Sequence, residues 1–256
     1  MSRFIIYPAI DLRAGQVVRL KEGDPARQTT YSPDPARTAR NWLEAGARWL
    51  HVVNLDGAFA ENDSANQAAL RTILDTAKSF DALVQFGGGV RSIEMVEHVL
   101  RLGISRVVLG TITLEQPQVV MDAIKKFGGE VIAVGIDARD GIVRVRGWKM
   151  DSGIPATELA LQMRDAGVRT VVFTDISRDG LGRGLNIPST RALAEISGLH
   201  VIASGGVHTI EDVRAASEAE LAGVIIGRAL YEGTIALKAA LDFVNHEGTQ
   251  RKSSFP

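Results

Sequence analysis

An internal repeat constrains this chain more than any other feature of it. Gly88-Gly89-Val90-Arg91-Ser92-Ile93-Glu94 leads through an apolar stretch to Val107-Val108-Leu109-Gly110. Shifted by 117 residues, the pattern returns as Gly205-Gly206-Val207-His208-Thr209-Ile210-Glu211, ending in Val224-Ile225-Ile226-Gly227, with eight of 23 aligned positions identical. A second pair matches nearer the start of each half. Ile10-Asp11-Leu12-Arg13-Ala14-Gly15-Gln16-Val17 answers Ile136-Asp137-Ala138-Arg139-Asp140-Gly141-Ile142-Val143. Any fold for this chain must therefore divide into two similar halves, each with a glycine pair and a carboxylate in equivalent places.

Short apolar runs alternate with longer helical patterns. Strands are predicted at Phe4–Ile10, Trp49–Leu55, Leu83–Phe86, Arg106–Leu109, Val131–Ile136, Thr170–Thr174, His200–Ala203 and Gly223–Ile226. Their near-continuous Val, Ile and Leu content suits parallel strands buried on both faces. Helical patterns include Pro35–Ala45, Asn66–Ser79 and Gln116–Phe127. After Ser92, the residues Ile93, Val96, Val99 and Leu100 fall on one helical face. Ser92 and Thr209 stand where N-caps are needed, and Gly46 and Gly167 where helices stop. Eight strand–helix units in 256 residues predict an α/β fold, a (β/α)8 TIM barrel built from two homologous half-barrels. A doubly wound open sheet has the same ingredients but does not predict the symmetry. The barrel is expected over residues 1–246 as one domain, with Glu247 to Pro256 as a polar, flexible tail.

Composition narrows the function classes. The formal net charge is −1, with acids and bases mixed, so no basic stripe is available for nucleic acid. There is no cysteine, which removes disulfides and thiolate chemistry. No apolar run is long enough for a bilayer, and Phe4-Ile5-Ile6 begins a strand without a signal-like leader. A cytoplasmic protein without a membrane partner is expected. The five histidines, at 51, 98, 200, 208 and 246, show no ligand spacing, so no metal is expected.

A phosphate needs converging backbone N–H groups with no side chain in the way, and a following helix adds its positive end. Gly88-Gly89 and Gly205-Gly206 offer this. Gly110 with Thr111, and Gly227 with Arg228, would complete the two cradles, with Arg91 beside the first and a short helix over Arg228–Glu232 in the second. One glycine pair fits a tight turn equally well; two aligned pairs favour a substrate with two phosphates. The segment Gly180-Leu181-Gly182-Arg183-Gly184 lacks dinucleotide spacing and reads as a mobile loop.

Asp11 and Asp137 close the matching strands one and five, on opposite sides of the mouth where barrel active sites lie. Singly, each could simply serve a turn. As a symmetric pair they suit acid–base work, one ionised and one protonated. Thr174 and Asp179 are further candidates; the latter sits in an Asp-Gly turn motif. Arg19 and Trp148 fall in what read as extended polar loops after strands one and five, suited to pairing with and stacking on a flat heterocycle.

Taken together, Pro8-Ala9-Ile10-Asp11-Leu12, Val17-Val18-Arg19-Leu20, Gly23-Asp24, Leu55-Asp56-Gly57-Ala58, Gly87-Gly88-Gly89-Val90-Arg91, Gly147-Trp148 and Thr174-Asp175-Ile176-Ser177-Arg178-Asp179-Gly180 resemble the phosphoribosylformimino-5-aminoimidazole carboxamide ribotide isomerases of histidine biosynthesis. The resemblance runs from about Phe4 to Asn245. It implies a cofactor-free aldose–ketose isomerase performing an Amadori rearrangement on a ribotide with two phosphates. It further implies that Asp11 is the general base and Asp137 the general acid. Thr174 and Asp179 would support them, and Arg19 and Trp148 would hold the imidazole end. Asn54 departs from the resemblance, standing where Asp is frequent. Alternatives are the cyclase subunit of imidazole glycerol phosphate synthase, an isomerase that also accepts phosphoribosylanthranilate, and a non-catalytic phosphate-binding barrel. Val18-Arg19-Leu20 follows the isomerase pattern rather than the cyclase one. A monomer is expected, because a fused repeat closes the barrel within one chain.

Overall fold

All eight apolar runs form strands in the computed structural model, which describes residues 4–253, with side chains described as far as His246. They are β1 Ile5–Arg13, β2 Trp49–Asn54, β3 Leu83–Gly87, β4 Arg106–Leu109, β5 Ile132–Arg139, β6 Thr170–Asp175, β7 His200–Ser204 and β8 Gly223–Ile226. Each pairs in parallel with the next, and β8 returns to β1 in the register Ile5↔Gly223 to Pro8↔Ile226. Closure removes the sheet edges, and the helices between strands cover the outside. The fold is a (β/α)8 barrel.

Strand alternation assigns each side chain to one of two compartments. Ile6 and Ile10 of β1 and Ile132, Val134 and Ile136 of β5 point outward into the large core beneath the helices. Tyr7, Ala9, Val108, Ala133, Val172, Ile202 and Ile225 form a smaller core inside the barrel. Continuing that inward series towards the C-terminal ends reaches Asp11 on β1, Thr174 on β6 and Ser204 on β7 after two residues, and Asp137 on β5 after four, past Gly135. On these strands the polar residues of the site thus stand above small or apolar ones.

The segments after β1 and β5 are not loops, as the sequence suggested, but antiparallel hairpins. Gln16–Lys21 pairs with β1 and with Asp24–Ser32; Ile142–Val145 pairs with β5 and with Met150–Pro155. Both begin at two-residue turns, Ala14-Gly15 (φ 48° and 75°) and Asp140-Gly141 (φ 53° and 80°). Two consecutive positive φ values match the twist of the flanking strands. Asp11 and Asp137 therefore sit in strands ahead of these turns. Val17, Val18 and Leu20 are buried, which anchors the first hairpin and carries Arg19 with it.

Helix ends follow the sequence closely. Pro35–Glu44 is capped by Asp34, the helix expected from Asn66 begins at Ser64, and Pro117–Phe127 is as anticipated. Ser92 accepts from the Met95 N–H at 3.3 Å. In the second half Asp212 accepts from the His208 and Thr209 N–H groups, both at 2.9 Å. The last helix spans Leu237–Ser253, so backbone that the sequence assigned to the tail is helical as far as Ser253; residues 254–256 lie outside the described ones. Among the described residues no helix is long and apolar enough to cross a membrane.

Candidate active site

The C-terminal ends of the strands surround a cavity of about 670 Å3, a size suited to a small-molecule ligand. All fifteen site residues singled out from the sequence line it. The glycine pairs lie after β3 and β7, and Gly110 and Gly227 directly follow β4 and β8. In an eight-strand ring these are half a turn apart, so the two clusters face each other across the mouth. Each ends on a short helix, Ile112–Glu115 in the first half and Arg228–Tyr231 in the second.

Backbone sterics explain the glycines. Gly88 and Gly89 have φ of 98° and 82°, and Gly205 and Gly206 have 88° and 98°. A Cβ on Gly88 would strike the Asn54 carbonyl oxygen; one on Gly205 would lie 2.5 Å from the Asp175 carbonyl oxygen. The tight turn and the side-chain-free surface are thus one property. The segment Gly180–Gly184, which read as a mobile loop, is tied down on the second pair. The Gly184 N–H donates to the Gly206 carbonyl at 3.0 Å, and Arg228 Nη1 donates to the Gly180 carbonyl. Arg228 is also paired with Glu232 at 2.6 Å. Arg91 donates to the carbonyls of Gly57 and Ala58 at 3.2 and 3.3 Å, and Thr111 Oγ1 accepts from the Arg146 N–H at 3.0 Å. These cations hold the cradle walls as well as lining the cavity.

The two carboxylates differ in their partners. Asp11 is buried and accepts from Arg19 Nη1 at 2.6 Å; Arg19 Nη2 reaches Asp179 at 3.3 Å. Burial raises the Asp11 pKa, Arg19 opposes that rise, and Asp179 adds to it. Burial works against the charge on Arg19, but the carboxylates of Asp11 and Asp179 outweigh it and hold the guanidinium cationic. Among the described residues no cation forms an ion pair with Asp137. Trp148 Nε1 donates to it at 2.8 Å, and the neighbouring Thr174 hydroxyl also donates. Its pKa is raised by burial, with these neutral donors opposing and the Asp179 carboxylate adding to the rise. One carboxylate thus faces a positive charge, while the other meets neutral donors and the negative charge of Asp179, the condition that separates a base from an acid.

Trp148 is held in place from behind. Its φ is 69°, rare for a non-glycine residue, and its ring lies where a Cβ on Gly23 would be, 2.5 Å from Cε3. Its indole N–H faces Asp137, so its first contact within the protein is the carboxylate. Gly227 has a similar packing role, since a Cβ there would lie 2.8 Å from Arg19 Cζ.

The structure gives a reason for Asn54 and adds residues that the sequence did not point to. Asn54 accepts from the Gly57 N–H at 3.0 Å and from Asn66 Nδ2 at 2.8 Å, and donates to Asp63 at 2.7 Å. In the second half Asp175 takes the equivalent position and accepts from Asn186 at 2.6 Å. Amide and carboxylate are exchanged between the halves, which accounts for Asn54. His51 also lines the cavity, and its place in the period-two inward series of β2, with Val53, was the available signal.

Comparison with known proteins gives a consistent result. A family model described as "Histidine biosynthesis protein" matches residues 5–236. The chain is 47% identical over 247 residues to a protein of Zymomonas mobilis, covering 95% of this chain and 97% of that one. It is 47% identical to relatives in Desulfitobacterium hafniense, covering 93% and 96%, and in Methylobacterium nodulans, covering 99% of both. All three are named 1-(5-phosphoribosyl)-5-((5-phosphoribosylamino)methylideneamino)imidazole-4-carboxamide isomerase. Since the match takes in both halves of the barrel, both glycine pairs and both carboxylates, the chain belongs to the histidine biosynthesis protein family.

Proposed function

We propose that this protein is an aldose–ketose isomerase of histidine biosynthesis, acting on the imidazole carboxamide ribotide that its relatives' name describes. The observation that carries this is the unequal pair, Asp11 against Arg19 and Asp137 against Trp148 and Thr174. The facing glycine clusters suit a substrate with a phosphate at each end, and holding both ends places the reacting ribose between the carboxylates. The isomerase name of the relatives supports this reading over the cyclase alternative.

The reaction then follows from proton positions. Asp137, protonated, donates to the ribose ring oxygen; the C1′–O bond breaks and the aminoaldose opens to a Schiff base. Asp11, ionised beside Arg19, removes the C2′ proton, and the electron pair moves into the C2′–C1′ bond to give an enolamine. Proton transfer to C1′ with loss of the C2′ hydroxyl proton gives the aminoketose. Burial raises the basicity of Asp11 while Arg19 keeps it charged, which suits a base. Each proton transfer is worth about 10²–10⁴-fold in rate. The reaction moves protons within one substrate, which these side chains can do without a redox group. A cytoplasmic monomer completes the reading. An absorbance assay with the bisphosphorylated aminoaldose tests it: conversion to the aminoketose is expected, and no turnover by folded protein rejects it.

A further inference from the structure

Beneath the carboxylates lies a polar chain that the mechanism above does not use. His51 pairs in register with Ala9, two residues before Asp11, so it lies one inward layer below the proposed base and still lines the cavity. Its Nδ1 is 2.8 Å from Gln85 Nε2, and Gln85 is wholly buried. On the far side, Gln85 Oε1 is 3.4 Å from Arg106 Nη1, which also donates to Tyr7 Oη at 3.2 Å. Arg106 stacks on the Trp49 ring, 4.7 Å from its centroid, which fixes the guanidinium.

The chemistry of these groups leaves one arrangement. A guanidinium has donors and no acceptor, so Arg106 requires the Gln85 oxygen on its side. The Gln85 amide must then present N–H to His51. Nδ1 of His51 must be an unprotonated acceptor, and the ring's proton must be on Nε2. A doubly protonated ring would set N–H against N–H at 2.8 Å. Burial and the Arg19 charge also disfavour an imidazolium, taking the His51 pKa down to about 3. Among the described residues Nε2 makes no hydrogen bond of its own, which leaves its proton for a ligand in the cavity.

We infer that Arg106 and Gln85 are positioning residues that fix His51 as an Nε2–H donor to an oxygen of the reacting sugar. The last step of this chain rests on the isomerase reading; the tautomer does not. Gln85 and Arg106 touch no substrate and act only by setting the direction of the hydrogen bonds. Changing the polarity of Gln85, without changing its size, should therefore alter a group one hydrogen bond nearer the chemistry.

Nitrogen-15 NMR of imidazole-labelled protein reads the tautomer directly, without substrate or mutation. Neutral His51 with the proton on Nε2 is expected near pH 7; a proton on Nδ1 overturns the inference. Gln85→Glu still accepts from Arg106 but offers His51 an acceptor, so the proton should move to Nδ1 and kcat/KM should fall at least about tenfold. A proton remaining on Nε2 in that variant, or unchanged kcat/KM, overturns it. His51→Gln removes the ring whose tautomer Gln85 sets, and should itself lower kcat/KM. Adding Gln85→Glu to it should cost little; an equal loss in both backgrounds would show a merely structural effect and reject the relay. Wild-type protein that shows the expected tautomer yet does not convert the aminoaldose would reject the isomerase reading alone.

Discussion

Gly227→Ala separates two roles that one glycine could have. If Gly227 serves only a phosphate, an added methyl should weaken substrate binding and leave turnover alone. The structure gives it a second duty. An ideal Cβ there would lie 2.8 Å from Arg19 Cζ and 2.9 and 3.0 Å from its two terminal nitrogens. Comfortable contact needs about 3.5–4.0 Å, so the guanidinium must retreat by about 0.5–1 Å. Arg19 Nη1 is 2.6 Å from Asp11, and such a retreat takes it to or beyond the usual hydrogen-bond limit of about 3.2 Å. A hydrogen bond to a charged group contributes about 1.5–3 kcal/mol. If that is lost in the transition state, kcat/KM falls about 10- to 150-fold. Gly227 has φ −109° and ψ −99°, outside the main α and β regions, so the methyl also strains the backbone and a urea midpoint on the same variant reports that separate cost. Steady-state kcat and KM on folded Gly227→Ala decide the matter. A fall in kcat is expected. Wild-type kcat with only a raised KM would refute the packing of Arg19 as the reason for this glycine.

Asp11→Asn and Asp137→Asn should each lower kcat about 10²–10⁴-fold with the circular dichroism spectrum unchanged; near-normal turnover in either would remove its proton-transfer role. Asp137→Asn should also stabilise the protein at neutral pH. Burial raises the folded-state pKa of Asp137, so its penalty appears as pH rises through that pKa and is absent below the unfolded value, where both states are protonated. Thermal melts should show the gain near pH 7 and its disappearance towards pH 3; an equal or larger gain in acid contradicts the burial argument. Gly206→Ala, at φ 98° against the Gly184 carbonyl, should lose about 1–3 kcal/mol in urea unfolding, and an unchanged midpoint would show that this turn is not constrained as described. Asn54→Asp sets a second carboxylate against Asp63, now 2.7 Å from the Asn54 amide, and should destabilise by about 1–3 kcal/mol. Asp63→Asn added to it reproduces the second-half arrangement and should restore most of that loss; simple additivity in the double variant would deny the exchange.

The barrel was legible because each of its strands is a run of residues that must be buried on both faces, and the repeat ordered those runs into halves. Asp11 and Asp137 were legible for the same reason, since symmetry picks them out from thirty acidic residues. The hairpins were not. Gln16–Lys21 sets Val17, Val18 and Leu20 among polar and charged residues, and Asp24–Ser32 is largely exposed, so neither shows the continuous apolar run by which the barrel strands declare themselves. Their signal was the pair of two-residue glycine turns, which the matched motifs contained. Asn54 and Asp63 illustrate a further limit. An amide and a carboxylate are nearly the same shape, and only the pairing across the cap shows why each half has them in opposite order.

The hairpins also explain how a duplicated barrel performs an unsymmetrical reaction. Two equivalent carboxylates on equivalent strands would carry similar proton affinities, and neither acid nor base would be favoured. The first hairpin puts Arg19, eight residues from Asp11, on one of them; the second puts the Trp148 indole, eleven residues from Asp137, on the other. Barrel strands set the distance between the carboxylates, and the hairpins set their charge. The two hairpins are not independent, because Trp148 packs on Gly23 of the first. A side chain at position 23 would therefore move the indole away from Asp137 although it lies in the opposite half of the chain. Acid and base identities are coupled through that contact over the mouth, so a change in the first hairpin reaches the carboxylate of the second half.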